Sequence, residues 1–206
     1  MEATDNVLMI FLKYPEAGKV KTRLASSIGE KLAAFYYKGF VETVIKNTRS
    51  FNYTRQIIFT PRQKGKEISE WLGTNEKYFA QEGLCLGARQ ANAFKEAFKA
   101  GARKVVVIGT DNPLIDNDMI NQAMQFLENN DLVIGPSVDG GYYLLGMKEF
   151  NEKIFEKIDW STDKVFEQVL RNASDIGMSV GVLKESFDVD TLDDLTLLKE
   201  KYGYVI

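Results

Sequence analysis

Four polar clusters in this sequence combine residue types that can do chemistry, and each follows a short apolar run. The first, Lys13-Tyr14-Pro15-Glu16-Ala17-Gly18-Lys19-Val20-Lys21-Thr22-Arg23, places four cations around a Gly/Pro loop. A glycine loop with free backbone N–H groups that leads into a helix suits phosphate. Lys contributes point charges and Arg a two-pronged donor fork. Lys13, Gly18, Lys21, Thr22 and Arg23 are therefore candidates for binding the phosphates of a nucleotide. The spacing is neither a Walker A loop nor G-x-G-x-x-G, and a solvated basic loop remains open as the other reading.

The second cluster, Gly109-Thr110-Asp111-Asn112-Pro113, follows the run VVVI. A carboxylate at that position can hold Mg²⁺ on a diphosphate, with Thr110 beside it as a nucleotide contact. It can also cap the next helix, although Asp116 or Asn117 can do that instead. The third, Asp139-Gly140-Gly141-Tyr142 at the end of another apolar run, is either a turn alone or a turn that presents an acceptor-binding acid. The fourth, Phe187-Asp188-Val189-Asp190-Thr191-Leu192-Asp193-Asp194, caps a final helix. Its alternation sets Asp188 and Asp190 on one side as further metal carboxylates.

Composition narrows the chemistry these clusters can perform. There is no histidine in 206 residues and a single cysteine, Cys85. Ser-His-Asp and Cys-His units, an imidazole base and His/Cys zinc sites are thereby excluded. Carboxylates, Lys, Arg and a hard cation, Mg²⁺ or Mn²⁺, are what is left. A net charge of −3 argues against nucleic acid as the main partner. The apolar run Val7–Leu12 is too short and too acid-flanked for a signal peptide, and nothing approaches a membrane span. The expected location is the cytoplasm. Cys85 reads as a small core residue sooner than as a nucleophile.

The elements that must position these residues alternate between strand and helix. Strands are expected at Val7–Leu12, Arg55–Thr60, Lys77–Ala80, Val105–Ile108, Leu132–Gly135, Tyr142–Leu145 and Ser179–Leu183. Helices are expected at Glu30–Lys46, Lys66–Leu72, Gly87–Lys99, Asn117–Leu127, Thr162–Ser174 and Leu192–Lys201. The stripe Leu32, Phe35, Tyr36, Phe40, Val44 reads as the core face of the first helix. The order implies one domain over residues 1–206, a three-layer α/β/α sandwich with a mostly parallel, doubly wound sheet. In such folds ligands bind at the carboxyl ends of the strands, where the clusters fall.

Taken in order, F-x-K-x-P-x-x-G-x-V-K-T-R-L-A, L-G-x-R, G-T-D-x-P, G-P-x-x-D-G-G-Y-Y-L, I-x-W-S-T and D-x-D-T-x-x-D-L run from Phe11 to Leu195. The ordered set resembles a bacterial family of glycosyltransferase-like proteins described as nucleotide-diphospho-sugar transferases. That family is related to 2-phospholactate guanylyltransferase and the molybdopterin nucleotidyltransferases. The resemblance implies a GT-A-type fold and a Mg²⁺- or Mn²⁺-dependent transfer from a nucleotide-activated small molecule, a nucleotide sugar or an NTP, to an acceptor. It implies that Lys21 and Arg23 contact phosphate, and that Asp111 and Asp190 lie at the metal. The catalytic candidates are then Lys21, Arg23 and Asp139, with Gly140, Gly141 and Tyr142 beside the acceptor. One loop departs from the pattern. G-D-L-G-x-R-M is replaced by Gly83-Leu84-Cys85-Leu86-Gly87-Ala88-Arg89-Gln90, without the acid and the Met, while Arg89 stays as a nucleotide-binding candidate.

Overall fold

The computed structural model describes residues 5–205. Seven strands form one sheet: β1 (Asn6–Lys13), β2 (Thr54–Thr60), β3 (Lys77–Ala80), β4 (Lys104–Ile108), β5 (Leu132–Pro136), β6 (Tyr142–Met147) and β7 (Val180–Val182). Their order is β3-β2-β1-β4-β6-β5-β7. All neighbours run parallel except β6, which is antiparallel to both β4 and β5. Alternate residues of a strand face opposite sides, and here both sides are apolar. Leu8, Ile10 and Leu12 of β1 join one buried cluster, and Val7, Met9 and Phe11 join the other.

Helices cover both faces. On one side lie α1 (Thr22–Ile28), α2 (Glu30–Asn47), α3 (Gly65–Leu72), α5 (Asn117–Asn129) and α7 (Leu192–Tyr202). On the other lie α4 (Leu86–Lys99) and α6 (Val165–Asp175). This is the expected three-layer, mostly parallel sandwich. The chain leaves β1 toward β2 and β3 on one hand and reaches β4 on the other, so the winding reverses between β1 and β4. Crevices for ligands open at such a reversal.

Several local expectations are corrected. Helix α1 is an additional helix, short enough to bury only Leu24 and stopped by Gly29 at φ 85°. The core face of α2 is Ala33, Ala34, Tyr37, Phe40, Val41 and Val44, while Leu32 and Phe35 are exposed. Helix α6 starts at Val165, because Thr162 turns back to bond the Asp159 carbonyl and Ser161 has a left-handed backbone. Cys85 is exposed and not in the core.

The far edge of the sheet is tied by one carboxylate. Asp131, just before β5, accepts from the Ser179 N–H at 2.9 Å and its hydroxyl at 2.6 Å, and pairs with Lys148 at 3.1 Å. The hydrogen bonds from Ser179 hold its carboxyl down at about 2, below the ordinary value of roughly 3.9. The folded pKa is the depressed one, so this stabilisation is complete above the unfolded value and is lost as pH falls through the folded one. Asp131→Asn should therefore be less stable than the parent in urea at pH 7, with the gap narrowing below about pH 4 and closing near pH 2.

Candidate functional site

All four polar clusters reach the same edge of the sheet. The first follows β1 and the second β4. The third is the β5–β6 turn, and the fourth follows β7, each at a carboxyl end or, for β6, at the amino end of an antiparallel strand. The second and fourth clusters are stitched together by the backbone, since the Val189 N–H donates to the Asp111 carbonyl at 2.9 Å. Val189 is fully buried. Its neighbours Asp188 and Asp190 must then face outward, beside Asp111. Asp116 caps α5 by accepting from the Met119 N–H at 3.0 Å, which leaves the Asp111 carboxylate for other work.

The centre of the site is Lys21. Its side chain is 2 % exposed, and its ammonium pairs with Asp190 at 2.9 Å and with Asp111. Arg23 holds the other oxygen of Asp190. Lys21 has φ 47° and ψ 48°, a left-handed backbone that a residue with a Cβ adopts at a cost of order 1–3 kcal/mol. That conformation turns the side chain inward under α1, and the two carboxylates raise the ammonium's pKa despite the opposing effect of burial.

Asp188 stands next to this group. Burial, and then the charges of Asp111, Asp139 and Asp190, push its carboxyl up to about 8, with Lys21 pulling the other way. It lies where two clefts meet. The smaller, about 310 Å³, is lined by Lys13, Gln81, Arg89, Asp111 and Tyr142 among others. The larger, about 790 Å³, has Arg23, Asp139, Asp190, Lys184 and Lys201 around it, with Leu114, Met119, Phe187 and Tyr202 as its apolar wall.

The remaining candidates take distinct places. The Thr110 hydroxyl points into the protein, on Tyr37 at 3.0 Å and the Phe11 carbonyl at 3.4 Å. The Thr110 side chain is therefore a strut between the ends of β1 and β4. Tyr142 lines the smaller cleft, apart from Asp139, and its buried hydroxyl donates to Gln90 at 2.5 Å. Gly140, at φ 82°, packs so closely that a Cβ would sit 2.1 Å from the Asp163 carbonyl. Neither Tyr142 nor Gly140 lines the larger cleft, which Asp139 does. The Gly141 N–H donates to the Asp139 carboxylate at 3.1 Å, so Asp139 does form the turn. Gly18 has φ 75° with Glu30 against it, and Thr22 is the first residue of α1. Arg89 donates to the Gly83 carbonyl at 3.1 Å.

Two residues went unread as site residues. Ser137, at the first variable position of G-P-x-x-D-G-G, is 4 % exposed and lines the larger cleft. Among the described residues, its hydroxyl is the buried side-chain polar atom with no hydrogen-bond partner. Gln81, the polar residue after β3, reaches the smaller cleft and donates to the Leu12 and Ile58 carbonyls.

Comparison with known proteins adds a family to this geometry. Residues 43–162 match the family described as "Uncharacterized protein conserved in bacteria (DUF2064)". The chain belongs to that family. Among curated protein sequences nothing matches it. A solved structure from Desulfovibrio desulfuricans G20, provisionally named a nucleotide-diphospho-sugar transferase, is 33% identical with a TM-score of 0.93, over 96% of this chain and 87% of that one. CMP:2-keto-3-deoxy-manno-octonic acid synthetase, in complex with CTP, superposes with a TM-score of 0.61 at 9% identity, over 96% and 98% of the two chains. Rv0371c from Mycobacterium tuberculosis H37Rv, in complex with manganese, does so at 0.54 and 12% identity, over 93% and 97%. The last two show a shared fold.

The structure also shows what two glycine-containing motifs of this DUF2064 chain do for the site. Gly87, at the start of α4, lies under the Trp160 ring, where a Cβ would come within 2.3 Å. Gly140 lies against Asp163, and Phe166 donates to the Gly140 carbonyl at 2.9 Å. The L-G-x-R, D-G-G-Y and W-S-T segments are thus packed into one another and fix the turn that carries Asp139. Gly87→Ala should gain about 1 kcal/mol of helix propensity and lose about 1–3 kcal/mol to overpacking. The expected net result is a lower urea midpoint and, in a Trp71→Phe background, a red shift of Trp160 emission.

Proposed function

We propose that this protein is a Mg²⁺- or Mn²⁺-dependent transferase of a nucleotide-activated group, transferring a glycosyl group from a nucleotide-diphospho-sugar to an acceptor hydroxyl. The observation that carries this reading is the convergence of Asp111 and Asp190 on one cation, the Lys21 ammonium, at the reversal of the sheet, with Arg23 alongside. A pair of carboxylates that gathers around a positive charge fits a hard divalent cation. Among the described residues no group of three or more His, Cys, Asp or Glu is arranged to hold a metal. Such a site would complete its shell with water and substrate phosphate, as Mg²⁺ sites commonly do.

Asp111 and Asp190 would hold the cation, which supplies neutralising charge to a diphosphate leaving group. The smaller cleft, with Lys13, Gln81 and Arg89, is read as the nucleotide side. The larger, with Asp139 and the unsatisfied Ser137 hydroxyl, is read as the acceptor side. Lys21 pairs with one acid of each cleft and Arg23 lines the larger, and both would bind the phosphates. Asp139 would orient the acceptor hydroxyl and take its proton. Such a transfer depends on positioning and on electrostatics, so a chain without histidine can perform it.

Nucleotidyl transfer from an NTP is the second reading. It is favoured by the basic loop directly after β1, which suits a triphosphate, and by the shared fold of a synthetase seen with CTP. A protein that binds nucleotide without turnover is the alternative of another class. No helix of the described residues is long and apolar enough to cross a membrane.

A thermal-shift panel of NTPs and nucleotide sugars, with and without Mn²⁺, separates these readings, because a bound ligand stabilises the fold by mass action. Nucleotide sugars should give the larger metal-dependent shifts. Larger shifts with NTPs, together with pyrophosphate release, would favour the second reading, and shifts without any turnover the third. Asp111→Asn should keep the fold and lose the metal-dependent part of nucleotide affinity, whereas equal calorimetric affinities would sink the metal assignment. Arg23→Ala should cost about 1.5–3 kcal/mol of binding to nucleoside diphosphates and almost nothing for nucleosides. Asp139→Asn should leave donor affinity intact and reduce turnover by about 10²–10⁴-fold, the range of a lost general base.

A further inference from the structure

We propose that Lys21 is a built-in counter-cation of the Asp111–Asp190 pair that competes with the divalent cation, so that the nucleotide's phosphates must draw Lys21 away before metal binds tightly. This rests on reading Asp111 and Asp190 as the cation's ligands. Both oxygens of Asp190 are taken, one by Lys21 at 2.9 Å and the other by Arg23. Asp111 gives one oxygen to the same ammonium. A dication can bind these oxygens only against a buried positive charge, because the Lys21 side chain is 2 % exposed and water screens it little.

The backbone supports the same conclusion. Lys21 is held in a left-handed conformation at φ 47°, immediately before α1, and that strain persists because the two carboxylates hold its side chain. Anionic phosphate arriving beside Arg23 offers both cations another partner and releases carboxylate oxygens. Metal and nucleotide then raise each other's affinity by the same factor, as linkage requires. Lys21 thereby guards the site against metal alone and serves the phosphates once they are present.

Mn²⁺ alone is the probe, with free Mn²⁺ followed by paramagnetic resonance on the full chain and no nucleotide. Lys21→Met keeps the stem and removes the charge. It should bind Mn²⁺ roughly tenfold or more tightly than the parent, within the usual range of site coupling, while Lys21→Arg stays near the parent. Mn²⁺ should also raise the melting temperature of Lys21→Met more than that of the parent. Equal or weaker Mn²⁺ binding by Lys21→Met overturns the proposal. If Lys21→Met is unfolded without metal, excess Mn²⁺ should restore its circular dichroism, and failure to do so also overturns it. The Asp111→Asn variant separates the two levels of the argument. Unchanged Mn²⁺ binding there refutes the carboxylate assignment itself. Lost binding there, with no gain in Lys21→Met, refutes the exchange alone.

Discussion

A buried ammonium between two carboxylates organises this end of the molecule. Lys21 comes from the loop after β1, Asp111 from the loop after β4 and Asp190 from the segment after β7, so a single charge joins three distant parts of the chain. Taking Lys21 out of water carries a large cost that only close, well-placed anions offset. The Val189–Asp111 backbone bond and the Thr191–Asp194 capping box at the start of α7 keep those anions in place. The strained backbone of Lys21 is part of the same arrangement.

Around this charge the site divides into two clefts that meet at Asp188. The smaller cleft straddles the reversal, walled by the ends of β1, β2 and β4, by Gln81 after β3, by Tyr142 and Tyr143 of β6, and by α4. The β5–β6 turn and the segment after β7 wall the larger one. Under the proposed transfer, the two reactants would be held on either side of one charged centre. The larger cleft has an apolar outer wall, through Leu114, Met119, Phe187 and Tyr202, and Ser137, whose buried hydroxyl has no partner among the described residues, also lines it. A buried hydroxyl left without a partner is costly.

Rigidity around the Asp139 turn comes from glycines that let large groups approach. Trp160 over Gly87, Tyr143 against Gly135 and the Asp163 backbone against Gly140 are contacts that any Cβ would block. Several motif residues that look chemical in sequence therefore do mechanical work, and Thr110, Tyr142 and Gly140 are the clearest cases. They lock the turn and the strand ends from which Asp111 and Asp139 project.

The sequence by itself determined the alternation of strand and helix, because runs such as VVVI and LVIG are buried on both faces and amphipathic stretches lie between them. It also determined that four polar clusters follow strands, and that chemistry without histidine must rest on carboxylates and cations. The tertiary structure decided the rest, for reasons of packing. The reversed direction of β6 follows from a tight turn that alternation alone does not reveal. The seven residues of α1 are too few for a period to show. That Leu32 and Phe35 face outward depends on how α2 is rotated against the sheet. The pairing of Lys21 with Asp111 and Asp190 spans up to 169 residues of chain, and only the folded sheet brings their charges together.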